Sequence, residues 1–367
     1  MSIVARIKAP GYGDAEIALR RALELLGGPG LFAKKGQRVL VKPNLLAPKS
    51  VEKAVTTHPA IIEAALRILL EIGAVPVVGD SPGIGSAKFV ARTCGILKVC
   101  RSLGVELVDL GSAGISEVKG STYKGLEVAR EALNAGAIWN LAKWKTHTMM
   151  GLTLGVKNLY GCVPGKRKVA GHLRAGANHE AFALMLLDLW STLRPALTIL
   201  DGIVAMEGAG PGSGSPLSRG LLLASADAPA LDYEATRLSG FSPSSIHTVR
   251  LCLENGIIDP NEIEVIGDEA EPMRFAPAPG SSNDFDFLPK SLKGLVRGVL
   301  TPAPRFDGVA CVDCGVCVEA CPAKALTCGK PPVIAKGACI RCYCCQELCP
   351  ENAVTVPSAL FFSRGGR

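Results

Sequence analysis

The sequence predicts an α/β domain, a mostly parallel sheet with helices on both faces, followed by a small C-terminal α+β domain. Three observations carry this reading. Up to about residue 270, short apolar runs alternate with amphipathic stretches. Residues 268–305 are punctuated by Pro272, Pro277, Pro279, Pro289, Pro302 and Pro304. Beyond them, most of the chain's 14 cysteines crowd into the last sixth. The boundaries that follow are a ligand-binding or catalytic domain at 1–267, a Pro-rich linker at 268–305 with a short helix near 291–299, a cysteine domain at 306–357 and a tail at 358–367.

Within the first domain, 38–41 reads as a strand. A helix over 59–72 follows, with apolar positions at Ile61, Ile62, Ala65, Leu69 and Ile72. A strand at 75–78, a helix at 87–103 and strands at 105–110, 137–141 and 197–200 continue the rhythm, and 221–224 and 263–266 extend the sheet. Strands alternating with helical patterns imply parallel pairing under helices.

Composition narrows the function. The chain has 367 residues, 48% of them apolar, enough for a large core and two or three domains. A net charge of +7 suits an anionic ligand. Nucleic acid fits less well, because basic runs interleaved with aromatics are missing and only 5% of residues are aromatic. Arg6 and Lys8 sit where a secretory signal would be apolar. The most apolar stretch, 181–200, is interrupted by Asp188, Arg194 and Pro195, so it reads as a buried helix running into a strand and no membrane span is expected. Cysteines at metal-ligand spacing point to a reducing cytoplasm.

Cys311, Cys314, Cys317 and Cys321 follow the spacing C-x2-C-x2-C-x3-C, with Pro322 next. Cys339, Cys342, Cys345 and Cys349 repeat it at a constant offset of 28 residues, with Pro350 next. A tight loop presents three thiolates to one cubane, and the fourth ligates the other. The expected sets are Cys311, Cys314, Cys317 and Cys349 for one 4Fe–4S cluster, and Cys339, Cys342, Cys345 and Cys321 for a second. Zinc knuckles pair two C-x2-C elements and have no use for the third cysteine or the Cys-Pro ending. Cys328 and Cys344 fall outside the register and read as free thiols, Cys344 being the one placed to compete as a ligand. Residues 306–357 resemble bacterial-type two-cluster ferredoxins throughout their motifs. Five acids against four bases leave this unit near neutral, which favours an internal relay over a diffusing carrier.

The large domain carries a charge asymmetry. Between Glu131 and Glu180 there is no acidic residue, while Lys143, Lys145, Lys157, Lys166, Arg167, Lys168 and Arg174 lie there with His147, His172 and His179. Solvated surfaces mix signs, so this span reads as the wall of an anion site. Lys143, Lys145 and His147 follow a strand and alternate onto one face, at the strand end where open α/β sheets bind ligands. Lys157-Asn158 and the basic loop 166–168 come next, the loop being either ligand-binding or simply exposed.

Other strand ends carry Lys42-Pro43-Asn44 and Gly79-Asp80-Ser81. Asp80, Ser81 and His58 either serve a ligand or cap helices. Asp201 ends another strand, and Glu207-Gly208-Ala209-Gly210-Pro211-Gly212 is a loop able to approach an anion or to act as a lid. Asp227 caps a helix. Cys162 is either reactive or a small buried residue.

Together, Lys42-Pro43-Asn44, His58-Pro59, Gly79-Asp80-Ser81, Lys143-x-Lys145-Thr146-His147, Lys157-Asn158, Glu207-Gly208-x-Gly210-Pro211 and Asp227-x-x-x-x-Asp232 resemble the family catalogued as domain of unknown function 362, over roughly 37–235. Members are often fused to a C-terminal two-cluster ferredoxin module. The resemblance implies a domain layout and a shared pocket, not a reaction.

The leading expectation is an iron–sulfur reductase. Two clusters relay low-potential electrons to a small carboxylate or phosphate held by Lys42, Asn44, Ser81, Lys143, Lys145, Lys157, Asn158 and Glu207. His147, with Asp80 or Asp201, handles the proton. The alternative is an electron-transfer or ligand-sensing protein without chemistry, docking to an electron-donor or acceptor protein. Either accommodates a homo-oligomer.

Overall fold

The computed structural model describes residues 1–165, 167–176, 178–280 and 301–357. The short helix expected near 291–299 and the tail at 358–367 lie outside these residues.

Eleven strands belong to the first domain: β1 (Ser2–Lys8), β2 (Arg38–Lys42), β3 (Val75–Asp80), β4 (Glu106–Asp109), β5 (Ile115–Lys119), β6 (Lys124–Ala129), β7 (Ala137–His147), β8 (Gly151–Thr153), β9 (Leu197–Glu207), β10 (Ser215–Ser225) and β11 (Ile263–Gly267). Nine form one sheet in the order β11-β1-β10-β9-β7-β2-β3-β4, with β8 paired to β7. β1–β11, β2–β3, β2–β7, β3–β4 and β7–β9 are parallel. β10 runs antiparallel to both β1 and β9. β5 and β6 form a separate hairpin. The fold is a mixed, mostly parallel α/β sheet.

Alternating side chains feed two cores. Val39, Val41, Trp139 and Leu141 pack on one face with the helices Ala15–Leu25 and Pro59–Glu71. Leu40, Ile138 and Trp144 pack on the other with His179–Leu193 and Ala228–Leu238. Each large apolar side chain buried this way contributes about 1.5–3 kcal/mol.

Several local outcomes follow from single residues. His58 caps its helix, its Nδ1 accepting from Ala60 N–H at 3.1 Å, and Pro59 fills the first turn. The helix expected over 87–103 is two helices, Ala87–Thr93 and Ile96–Ser102, because Gly95 takes a left-handed φ of 86° between them. Ser86 caps the first of these, so Asp80 and Ser81 are not its caps. Asp227 caps Ala228–Leu238. Residues 268–280 do not hang free: Phe275 is buried against Trp144, with ring centroids 5.8 Å apart.

β7 and β9 are each longer than their apolar runs predict, 11 residues instead of four or five. The added part of β7 holds Lys143, Lys145 and His147, all buried. Strand structure persists there because partners for these groups come from elsewhere in the chain.

The second unit repeats itself in three dimensions. β12 (Arg305–Phe306) pairs with β15 (Val354–Thr355), and β13 (Leu326–Thr327) with β14 (Val333–Ile334). Short helices Val316–Glu319 and Cys344–Glu347 sit at the same 28-residue offset as the cysteines. Left-handed residues match as well: Asp313 with Arg341, Gly315 with Tyr343, and Lys324 with Asn352.

Candidate functional site

The two halves of the cysteine unit enclose two cavities. Cys311, Cys314, Cys317 and Cys349 line one, with Phe306, Pro332 and Val354. Cys321, Cys339, Cys342 and Cys345 line the other, with Leu326, Ile334 and Cys344. The structure thus brings together each of the sets that spacing grouped. Among the described residues no three His, Cys, Asp or Glu side chains converge tightly enough for a single ion; each cavity instead spaces four thiols around apolar walls. Ala325 N–H donates to Cys321 Sγ and Ala353 N–H to Cys349 Sγ, both at 3.2 Å. Such N–H···S bonds favour thiolates and tune an iron–sulfur centre. The donor set therefore fits 4Fe–4S clusters.

At the carboxyl ends of the parallel strands lies a buried basic cluster. Lys42 pairs with Asp80 at 3.1 Å, and Asp80 also accepts from Leu45 N–H at 2.7 Å and Ser81 N–H at 2.8 Å. Lys143 donates to Asp201 and to Tyr12 Oη, both at 2.8 Å. Asp201 accepts further from Tyr12 Oη at 3.1 Å and His58 N–H at 3.0 Å, while the Tyr12 and His58 rings stack at 3.4 Å. Burial, reinforced by Asp201, holds the Tyr12 phenol well above its usual range.

Lys145 donates to Asn44 Oδ1 at 2.9 Å and Val55 C=O at 2.6 Å. That bond orients a chain of amides. Asn44 Nδ2 donates to Asn158 Oδ1 at 2.9 Å, Asn158 Nδ2 to Asn140 Oδ1 at 2.8 Å, and Asn140 Nδ2 to Gly155 C=O at 2.9 Å. Each amide has one arrangement that satisfies its neighbours. Burial lowers the ammonium values of Lys143 and, further, of Lys145.

His147 ends the row. Its Nδ1 accepts from Met149 N–H at 3.0 Å and Met150 N–H at 3.2 Å, so the ring proton sits on Nε2. Nε2 faces Glu347 Oε2 at 3.5 Å, too long for a formed hydrogen bond, and is left without one. Burial, helped by Lys157, pushes the imidazole down to about 4. This corrects the expectation of a histidine titrating near working pH: His147 is a neutral donor there. The carboxylate it faces is also not Asp80 or Asp201, which are engaged by Lys42 and Lys143. Glu347 comes from the cysteine unit. Burial raises its carboxyl, but His147, Lys157 and His172 together hold it below the usual range.

Lys157 is partly buried and makes no hydrogen bond or ion pair among the described residues. Its ammonium is lowered by burial, with Glu347 and Cys344 acting the other way. His172 stacks on Phe182 at 4.4 Å, and its buried Nδ1 has no hydrogen-bond partner. Burial takes it down to about 3.

Several expected residues serve as scaffold. Ser81 Oγ accepts from Gly165 N–H at 3.0 Å. Arg167 pairs with Glu127 at 2.8 Å, and Lys168 donates to the Ser81 carbonyl; Lys166 lies outside the described residues. Glu207 accepts from Ala276 N–H at 2.7 Å and pairs with no lysine among the described residues. The Gly-rich loop presents carbonyls rather than N–H groups: Gly208, Ala209 and Gly210 accept from Thr146, Gln346 and Thr148. At Gly212 a Cβ would lie 2.5 Å from Glu347 C=O, so only glycine lets the cysteine unit dock there. Cys162 is buried and its thiol pushed up to about 12, an inert residue.

Sequence reasoning missed Glu347 and Tyr12, and named Asp232 only within the family resemblance. Glu347 occupies a spacer position that the first repeat fills with Glu319, so nothing marked it. Asp232 accepts from Gly155 N–H at 2.7 Å and Val156 N–H at 3.0 Å, and burial raises it to about 7 despite both.

A parallel α/β domain whose strand-end cluster meets a cysteine unit built for 4Fe–4S binding defines an iron–sulfur protein. The chain belongs to the family described as Domain of unknown function (DUF362), matched over residues 39–237, and a 4Fe-4S binding domain is matched over 304–327. It is 39% identical to a thylakoid-associated protein of Synechocystis sp. over 248 residues, 67% of this chain and 77% of that one. Among solved structures, it is similar to a lactate racemase apoprotein from Thermoanaerobacterium thermosaccharolyticum (TM-score 0.44, 12% identity, 65% of this chain and 57% of that one). A Thermotoga maritima protein gives a TM-score of 0.38 at 13% identity, over 61% and 59%. The chain spans under two thirds of either solved structure. No helix of the described residues is long and apolar enough to cross a membrane.

Two outcomes follow. Asp201→Asn leaves Lys143 buried without a counter-charge and should cost about 3–5 kcal/mol in denaturant unfolding, part of it regained by adding Lys143→Met. The depressed histidines also set a pH dependence. The unfolded chain binds more protons than the folded one from the usual imidazole value of 6.5 down to about 4 for His147 and about 3 for His172. Their stabilisation is complete above pH 6.5 and drains as pH falls. Asp232 acts oppositely, its contribution being lost as pH rises to about 7. His172→Phe, which keeps the stack on Phe182, should therefore lose less stability than the parent between pH 7 and pH 5; an unchanged slope would contradict the assignment.

Proposed function

We propose that this chain is an iron–sulfur oxidoreductase acting on a small carboxylate- or phosphate-bearing substrate, bound where the strand ends meet the cysteine unit. One observation carries the reading. Cys344 lines the second cysteine cavity and opens the short helix Cys344–Glu347, whose Glu347 approaches His147 Nε2 at 3.5 Å. Chemistry in that cavity and charge at the basic cluster are thus neighbours. The same place already takes a carboxylate, that of Glu347.

In this reading two 4Fe–4S clusters are held, one by Cys311, Cys314, Cys317 and Cys349, the other by Cys339, Cys342, Cys345 and Cys321. Bound clusters supply single electrons at potentials tuned by the surrounding protein. The chain's own residues do the rest. Lys157 attracts the anion, and the neutral His147 donates its Nε2–H, stabilising negative charge that develops on the substrate. Lys42, Lys143 and Lys145 act through their fixed pairs, setting a positive field, while Asn44, Asn158 and Ser81 hold the loops in register. Asp80 and Asp201 keep that field from becoming an uncompensated buried charge. Location in a reducing compartment belongs to the same proposal, because the ligands must remain thiolates.

A second reading, an electron-transfer or ligand-sensing protein without chemistry, is favoured by a different observation. Lys42, Lys143 and Lys145 all have internal partners. Val309 and Val312, exposed by 96% and 58%, flank Cys311 and offer a redox partner apolar surface beside the first cavity.

Anaerobic reconstitution should load about eight iron atoms per chain, and Cys317→Ala about half that; a full complement in the variant would contradict the ligand sets. Chemically reduced protein, mixed with a panel of small carboxylates and phosphates, should be reoxidised saturably by a member of the panel. Lys157→Met should slow that reoxidation at least tenfold. Reoxidation by none of them, with fast exchange to a protein acceptor, would favour the second reading.

A further inference from the structure

We propose that His147, Lys157 and His172 form an oxyanion site for a small carboxylate or phosphate, and that Glu347 is its built-in occupant, which the ligand displaces. The inference rests on the reading above and specifies how its substrate class enters.

Unmet hydrogen-bonding capacity marks this place. Buried polar groups are nearly always satisfied, and each exception calls for a reason. Two exceptions, on His147 and His172, lie within electrostatic reach of each other. His147 Nε2 and His172 Nδ1 are buried and unpaired, in residues only 2% and 7% exposed. Lys157 has no hydrogen bond or ion pair among the described residues. His147 Nε2 faces one carboxylate, that of Glu347, at 3.5 Å, and Lys157 and His172 lie within electrostatic reach of it.

Glu347 is under-satisfied too. Its side chain is 13% exposed, and its one charged partner within 4 Å among the described residues is His147, at 3.5 Å. His147 stands at the outer limit of hydrogen-bonding distance, and no other hydrogen bond to this carboxylate is formed among the described residues. A carboxylate that fitted this place would draw in the imidazole N–H and the ammonium. Glu347 enters from the side, on a helix anchored elsewhere, and does not reach that geometry. A free oxyanion is under no such tether.

The cysteine unit does not need Glu347. Its counterpart in the first repeat, Glu319, has the same helical position and is exposed. Nor does docking depend on it. Gln346 accepts from Thr148 Oγ1 at 3.2 Å and donates to Ala209 C=O at 3.0 Å; Ser213 donates to Asn352 Oδ1 at 2.7 Å; Lys49 donates to Pro350 C=O. These contacts keep the unit in place while one side chain swings out. The interaction Glu347 gives up is then remade by the ligand, with better geometry and no covalent restraint.

The test uses the full chain with its clusters loaded, under anaerobic conditions, titrated calorimetrically with inorganic phosphate and with acetate. Glu347→Gln keeps the side chain's volume and removes its charge, and should bind at least one of the two anions at least tenfold more tightly than the parent. Adding Lys157→Met to that variant should remove at least tenfold of the affinity. Cluster absorbance checks that each protein is intact. Amide exchange across 344–348 in the parent is an independent readout, expected to quicken when the anion saturates. Equal affinity in parent and Glu347→Gln, with unchanged exchange, would overturn displacement and leave the anion site standing. Binding of neither anion by any of the proteins would overturn the site itself, and with it the function proposed above.

Discussion

An ammonium group taken out of water must meet an opposite charge or a full set of acceptors, or it loses its proton or unfolds its surroundings. Three such groups, on Lys42, Lys143 and Lys145, sit at the carboxyl ends of adjacent parallel strands and are no more than 1% exposed. The rest of the structure answers them. Asp80 and Asp201 come from neighbouring strand ends, Asn44 and the Val55 carbonyl from the loop after β2, and Tyr12 from the segment before the first helix. Within the acid-free span between Glu131 and Glu180, Lys143 and Arg167 are paired from outside it, by Asp201 and Glu127. Each of these contacts ties a remote part of the chain to the sheet.

The cysteine unit is drawn into the same balance. Its second short helix packs on the Gly-rich loop after β9, where Gly212 permits backbone contact, and delivers Glu347 beside His147 and Lys157. A cavity lined by four thiols is thereby joined, through one short helix, to the basic strand ends. Neither half supplies this arrangement alone. It depends on a docking surface whose hydrogen bonds run from Thr148, Ser213 and Lys49 on one side to Gln346, Asn352 and Pro350 on the other.

Much of this was legible in the sequence. The cysteine register marked both cavities, because ligand spacing is a local property repeated at a fixed offset. Apolar runs located β2, β3 and β9, and Lys42, Asn44, Asp80, Lys143, Lys145 and His147 were found at their strand ends. What could not be read was pairing. Lys143 and Lys145 read as the wall of an anion site because Asp201 and Asn44 are far away in the chain. β1 escaped notice since Arg6 and Lys8 mask its alternation, and it is stabilised by β10 and β11, more than 200 residues on. Glu347 was hidden for the opposite reason: a repeat made it look ordinary, and only docking separates it from Glu319.

Closeness of the second cysteine cavity to the basic strand ends is what couples the two halves of the molecule. Electron–nuclear resonance on reduced, cluster-loaded protein saturated with phosphate measures that closeness directly. A phosphorus coupling to the cluster held by Cys339, Cys342, Cys345 and Cys321, lost in Lys157→Met, is the result this structure predicts. Saturating phosphate with no phosphorus coupling would contradict it.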